Sequence, residues 1–330
     1  MGRAGFGILA TVLLALPAFA AAAPGALPVA GKTIADKSPI YEIRVDYPRT
    51  GDAKIDADLL ATVNGIVSTF KKEAAAAHDS EEPRYTLAVN YVVARNDARA
   101  FAVIFNDEWD FAGAHPNLEI VTANYLRSAD NKDDGGRIYL PELFDGNRGL
   151  KRIAALATAD LSKRLLAPNA DPSSTPEDIA RGADAHWENF QAFVLLPDAL
   201  EIEFPPYQVA AYAAGPQTAR IPLAKLKDVM RANPRTPVPS FDCAAAKSAD
   251  ERAICSDLTL ARLDRDVSET WSSRVRNEND PTTKARLQTE QVAWLRNRAG
   301  ACRAAAGGAA HVACLTRLYQ ARLKALEDEE

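Results

Sequence analysis

The residues able to do chemistry are few, and their spacing excludes more than it suggests. The chain has four histidines, and His78, His115, His186 and His311 are scattered too widely for an HExxH or HxxxH zinc motif. His115 is the most interesting of them. It follows an aromatic run that carries Asp107, Glu108 and Asp110, so an Asp–His pair for proton transfer could form. Its plainest use is to hydrogen-bond its own loop and order Pro116 and Asn117; contact with a partner comes next, and catalysis last. There is no GxSxG, no reactive-cysteine signature and no paired-carboxylate motif. No catalytic residue, metal or cofactor is expected, and the chain reads as a non-enzyme.

Two stretches imitate ligand loops. Asp130-Asn131-Lys132-Asp133-Asp134-Gly135 opens like a calcium loop, but lysine occupies the third position and Pro141 the twelfth, with Glu142 one residue late. A turn needs the same Asn/Asp/Gly chemistry for backbone reasons. Between Gly25 and Gly31-Lys32-Thr33 there is one residue too many for a phosphate-binding loop, and no strand is expected ahead of it. A better candidate is the nearly uncharged segment from Pro205 to Gly215, which carries Tyr207 and Tyr212 between prolines and a glycine. Tyrosines on rigid backbone make good binding anchors, although a loop packed over a sheet accounts for the alanines equally well. The candidate partner-contact residues are therefore His115, Asn117, Tyr207 and Tyr212.

All four cysteines, Cys243, Cys255, Cys302 and Cys314, lie in the last ninety or so residues. An even count in an exported chain reads as a disulfide framework. Cys243 with Cys255 and Cys302 with Cys314 is the expected pairing. Each interval holds something that can turn the chain back: Ser248 placed to cap a new helix in the first, Ala306-Gly307-Gly308 in the second. A straight helix would hold such cysteines roughly 18 Å apart, out of reach. The rival is Cys243 with Cys302 and Cys255 with Cys314, tying helix ends across the bundle; loop entropy does not decide between them.

The elements that must position these residues follow from periodicity. Arg3, the apolar run over 7–20 and the small residues AFA-AAAP make residues 1–23 a signal peptide. No cysteine follows for lipid attachment, and no later run is long enough to span a membrane. The mature chain is expected in the periplasm or secreted. Residues 24–40 read as a linker. In 41–232, Tyr41, Ile43, Val45 and Tyr47 alternate with polar residues as in a half-buried strand, and Ile55, Leu59, Val63, Ile66 and Phe70 recur at helical spacing. Strands over 85–94, 99–111 and 118–126 have connections too short for crossovers, so they form an antiparallel meander. A helix over 150–166, a short helix after Thr175, a hairpin about Pro197-Asp198 and a last short helix ending near Arg231 complete the domain. Trp109 and Phe111 should face the core. The Pro-rich stretch 233–239 marks a boundary. Residues 240–330 carry helical periods in Leu260, Leu263, Val267, Trp271 and Val275 and again in Val312, Leu315, Tyr319, Leu323 and Leu326. Trp271 and Trp294 fit the core between helices, and Arg296 or Arg298 could pair with Asp264 or Asp266. The fold class is α+β: an antiparallel sheet with packed helices, followed by a small disulfide-stapled three-helix module.

The chain is 47% hydrophobic and 25% charged, an ordinary globular balance. Its net charge of −5 arises before Phe241, since acidic and basic residues balance beyond it. That excludes nucleic acid, whose phosphates need a basic face, and is compatible with steering a cationic protein.

Phe241-Asp242-Cys243, Ala253-Ile254-Cys255 with Leu263-Asp264, the tract from Glu290 to Arg298 before Cys302, and Cys314-Leu315 together resemble the LprI-type lysozyme-inhibitor family over about 240–327. The resemblance implies a small extracytoplasmic helical domain, some members of which bind and inhibit lysozyme. Asp46-Tyr47-Pro48 with Ile55-Asp56, Ala114-His115-Pro116, Leu140-Pro141-Glu142-Leu143-Phe144, and above all Phe204-Pro205-Pro206-Tyr207-Gln208 through Gly215 resemble the extracellular domain of RsiV-type anti-sigma factors. That domain is shared with the accessory region of PdaC-type peptidoglycan deacetylases. This second resemblance implies an envelope domain, in the RsiV case a lysozyme receptor. No transmembrane helix, sigma-binding segment or deacetylase half accompanies it, so signalling by regulated proteolysis is not expected. The two resemblances converge on a lysozyme-like muramidase as partner, inhibited by steric occlusion; peptidoglycan itself is the alternative.

Overall fold

In the computed structural model the described residues are 23–77, 84–127, 136–168, 174–303 and 308–328. Nearly all of the expected signal peptide, His78, the Asp130–Gly135 stretch and the Ala306-Gly307 break lie outside them.

The first sheet has six strands in sequence order: β1 (Ala30–Lys37), β2 (Tyr41–Arg49), β3 (Tyr85–Asn96), β4 (Ala100–Asp110), β5 (Asn117–Leu126) and β6 (Arg137–Ile138). The stretch read as a linker over 24–40 therefore holds a strand. β1 pairs with β2 along its whole length as an exposed edge, which is why its polar sequence carries no burial signal. The β3–β4–β5 meander is antiparallel as expected. β2 and β3 run parallel instead, because helix α1 (Ala53–Ala77) crosses over between them; the sheet is mixed. Ile55, Leu59, Val63, Phe70 and Ala74 of α1 pack on Phe101, Val103, Phe105 and Tyr125 of the sheet. Phe111 stacks on Phe70 at 5.3 Å.

The Asp-Tyr-Pro…Ile-Asp pattern has a mechanical cause. Buried Asp56 accepts hydrogen bonds from the Thr50 amide at 2.6 Å, the Thr50 hydroxyl at 2.9 Å and the Arg49 guanidinium at 2.9 Å. It thereby clamps the turn between β2 and α1, where Gly51 sits at φ +79°. Burial pushes the Asp56 carboxyl up, and these bonds outweigh it, leaving the group below the usual carboxylate range.

A second core gathers helices α2 (Gly146–Leu165) and α3 (Pro176–Gly182) against a three-stranded sheet of β7 (Phe193–Leu195), β8 (Ala199–Phe204) and β9 (Gln217–Pro222). Thr175 caps α3. The expected helix ending near Arg231 is only a 3-10 turn over Leu223–Lys225. The two sheets are tied through side chains that mimic a ladder. Thr122 Oγ accepts from the Phe193 amide at 3.0 Å, while Asn124 accepts from Leu195 at 3.0 Å and donates to the Phe193 carbonyl at 2.7 Å.

The C-terminal module contains a short α4 (Ala249–Ser256) in addition to α5 (Leu258–Asn277), α6 (Pro281–Ala301) and α7 (Gly308–Asp328). Ser248 caps α4 reciprocally with Glu251, at 3.1 and 2.8 Å. The disulfides are the local ones, Cys243–Cys255 and Cys302–Cys314, with Cα separations of 5.7 and 5.9 Å. Beside them, buried Asp264 accepts from Tyr319 Oη at 2.6 Å and from the Ser240 amide and hydroxyl at 2.8 and 2.7 Å, with Arg298 at 3.6 Å. Trp271 and Trp294 are half-buried against this core. A module with so small a core leans on its staples. Cys302→Ser with Cys314→Ser is expected to lower its stability by about 3 kcal/mol, read as an earlier thermal transition than the oxidised parent under identical conditions.

Candidate functional site

The structure brings the candidate residues together at one end of the first sheet. His115 lies in the connection between β4 and β5, where Ala112 takes φ +58°, and Asn117 opens β5 opposite Trp109. The Tyr207–Tyr212 segment arrives from β8, ninety residues later in sequence. His115 and Tyr212 stack with ring centroids 3.8 Å apart, and Tyr207 and Tyr212 lie 5.5 Å apart. Tyr207 Oη bonds His115 Nε2 at 3.0 Å, while the Pro116 carbonyl takes His115 Nδ1 at 2.8 Å and Tyr212 Oη at 3.0 Å.

This geometry decides what the cluster can do. A carbonyl accepts only, so Nδ1 carries the proton and Nε2 accepts from the tyrosine. Both ring nitrogens are therefore occupied within the cluster. The Asp–His pairing considered from sequence is not made: the partners of His115 are a backbone carbonyl and a phenol. The bond from His115 to its own loop is the plainest use expected from sequence; that the same Pro116 carbonyl also takes Tyr212 is not legible there, because a carbonyl carries no residue-type signature.

Tyr207 takes φ +72°, a conformation that costs a bulky L-residue roughly 1–2 kcal/mol. The residue is 56% exposed, so the backbone holds an aromatic residue in solvent at an energetic cost, a pattern typical of contact sites. The neighbour holding this turn is Gln208, whose amide donates to the Gly182 and Asn189 carbonyls at 2.9 Å each. Gly182 must be glycine: a Cβ there would stand 1.8 Å from the Gln208 carbonyl oxygen. Among the described residues no group of three His, Cys, Asp or Glu side chains is placed to hold a metal.

Residues that the sequence did not isolate lie at the join between the domains. Glu142, fully buried in the 3-10 turn Leu140–Leu143, pairs with Arg262 of α5 at 2.5 and 3.0 Å. The same guanidinium donates to the Arg137 carbonyl at 2.8 Å and lies 4.8 Å over the Tyr139 ring. Arg276 of α5 pairs with Glu188. Arg235 of the Pro-rich stretch donates to the Gly136 carbonyl at 2.8 Å.

Comparison with known proteins follows the same division of the chain. Residues 141–224 match the family described as "Protein of unknown function (DUF3298)", and residues 243–326 match "Lysozyme inhibitor LprI". The peptidoglycan-N-acetylmuramic acid deacetylase PdaC of Bacillus subtilis is 25% identical over 201 residues, 60% of this chain and 41% of that protein. This chain thus spans well under half the length of that relative. Crystal structures of DUF3298 proteins from Bacteroides fragilis and Pseudomonas aeruginosa are 16% and 14% identical, with TM-scores of 0.44 and 0.45. They cover 64% and 63% of this chain and 97% and 96% of their own. The chain thus matches the DUF3298 family over 141–224 and, after it, the LprI family over 243–326.

Proposed function

We propose that this chain is an extracytoplasmic inhibitor of lysozyme-like muramidases that works by covering the enzyme's substrate cleft, without catalysis of its own. The match of residues 243–326 to the lysozyme-inhibitor LprI family carries the reading. Two disulfides in that module agree with an oxidising compartment, and so does the leader-like sequence over 1–23. No helix among the described residues is long and apolar enough to cross a membrane. Occlusion needs an interface of about 1,200–2,000 Å² and no reactive group. In this reading exposed Tyr207, with half-buried His115, Asn117 and Tyr212 beside it, supplies the aromatic anchor for the partner. Purified mature protein mixed with several lysozyme classes should slow cell-wall lysis and co-elute with the enzyme. Unchanged lysis at stoichiometric excess, with no complex on sizing, would sink the proposal.

Tyr207→Gly separates contact from folding. Glycine adopts φ +72° without strain, so folded stability should stay level or rise, by at most about 1 kcal/mol. Complex formation should weaken about 30-fold, as for loss of an anchor worth roughly 2 kcal/mol. Calorimetry of binding beside urea unfolding reads both; an unchanged affinity removes the tyrosine from the interface.

A second reading, a module that binds peptidoglycan to assist another enzyme, is favoured by the kinship with a peptidoglycan deacetylase. Retention on purified sacculi without lysozyme would support it, and no retention would discard it.

A further inference from the structure

The two domains enclose a cleft of about 590 Å³. One wall is the outer edge of β5 from Glu119 to Thr122, and the facing wall is the α5 side chains Arg265, Asp266, Glu269 and Ser273. β6 is only two residues long and pairs with β5 at Asn124 and Tyr125 alone. Among the described residues no strand covers that edge from 118 to 123. The phase of the ladder shows what the edge presents. The Arg127 amide donates to the Arg99 carbonyl at 2.7 Å, which assigns the odd residues of β5 to β4 and turns the main chain of Leu118, Ile120 and Thr122 toward the cleft. The Thr122 carbonyl is taken by Arg137 at 2.5 Å, leaving Leu118 and Ile120 as the main-chain groups an incoming strand would meet. From Leu118 to Thr122 the edge is about 14 Å long.

Charge selects the occupant. Glu119, Asp266, Glu269 and Glu327 line the cleft, with Glu188 already paired to Arg276, against Arg137 and Arg265. Arg137 is engaged with the Thr122 carbonyl and Asp58, and Arg265 lies 3.9 Å from both Asp266 and Glu269. The surplus is negative and partly desolvated: burial pushes Asp266 upward and Glu269 up to about 7. A cation entering the cleft would relieve that cost.

We propose that the edge of β5 inside this cleft accepts an extended lysine- or arginine-bearing segment of a partner protein as an added strand. Main-chain bonds would hold the segment, and its alternate side chains would meet the carboxylates of α5 and α7. The proposal does not depend on the partner being a lysozyme, so a negative lysis assay leaves it standing.

The test uses the full mature chain and three labelled peptides: one of alternating valine and lysine, its glutamate counterpart, and the lysine peptide N-methylated at alternate amides. Anisotropy should report binding of the first only. The N-methylated form should bind at least about tenfold more weakly, because it cannot complete a ladder. Hydrogen exchange over 117–126 should slow on binding. Asp266→Asn with Glu269→Gln should weaken the lysine peptide about tenfold without lowering the unfolding midpoint. Equal binding of the glutamate peptide, indifference to N-methylation, or no binding at millimolar peptide would each overturn the proposal. So would protection of 117–126 that rises with the protein's own concentration, since a second copy would then be the occupant.

Discussion

Replacing Arg262 with alanine should cost about 3–5 kcal/mol, because it strands the buried carboxylate of Glu142. Glu142 would keep only the Tyr139 amide, at 3.0 Å, and would lose both bonds to the guanidinium. The Arg137 carbonyl and the face of the Tyr139 ring would lose the same partner. Since Arg262 stands on α5 and Glu142 in the first domain, the loss falls on the join. Urea unfolding should therefore change from one transition to two, with the disulfide-linked module separating. Arg262→Met with Glu142→Gln should recover part of the loss, since neutralising both partners removes the stranded charge. A single transition at the parental midpoint in the alanine variant would mean that the pair does not couple the domains.

This pair also shows where sequence reading stops. The motif Leu140-Pro141-Glu142-Leu143-Phe144 was visible as a motif, but nothing local says that its glutamate is answered by an arginine 120 residues later. The elements themselves were legible where burial is one-sided. Alternation in β2 and three-and-four spacing in α1 arise because each element has one face on a core. The local disulfides were legible for a similar reason, since the helix-breaking residues and the cysteines share one short interval. β1 was missed because both its faces are largely exposed, and β9 because it is hidden behind a loop rich in alanine and proline. Of the candidate site, the residue types and the two segments could be named in advance. Their meeting, with Tyr212 stacked on His115, depends on how the second sheet docks through Thr122 and Asn124, and no local pattern encodes that docking.

In the sequence Asp107 stands out only as one of the carboxylates upstream of His115, and its setting in the fold implies an effect nearly as large as that of Arg262. It lies 6% exposed on the core side of β4, directly across from Glu119 of β5. Its Oδ1 is buried with no hydrogen-bond partner among the described residues. Burial, reinforced by the charges of Glu119 and Glu73, pushes its carboxyl up to about 7. The sign follows from proton counting. Below pH ~4 the group is protonated whether the chain is folded or unfolded, and it contributes no pH dependence. As pH rises toward 7 the unfolded chain ionises it while the folded chain holds the proton, so stability falls across that window and levels off above it. At about 1.4 kcal/mol per unit the full penalty is of the order of 4 kcal/mol, an upper bound that local relaxation reduces. Asp107→Asn keeps the shape and removes the charge. It should match the parent near pH 4 and exceed it by roughly 2–4 kcal/mol at pH 8. Urea unfolding of both proteins at these two pH values measures the difference directly. A gap that does not widen between them would show that Asp107 is ionised in the fold, with a cationic or solvent partner reaching it at the end of the sheet.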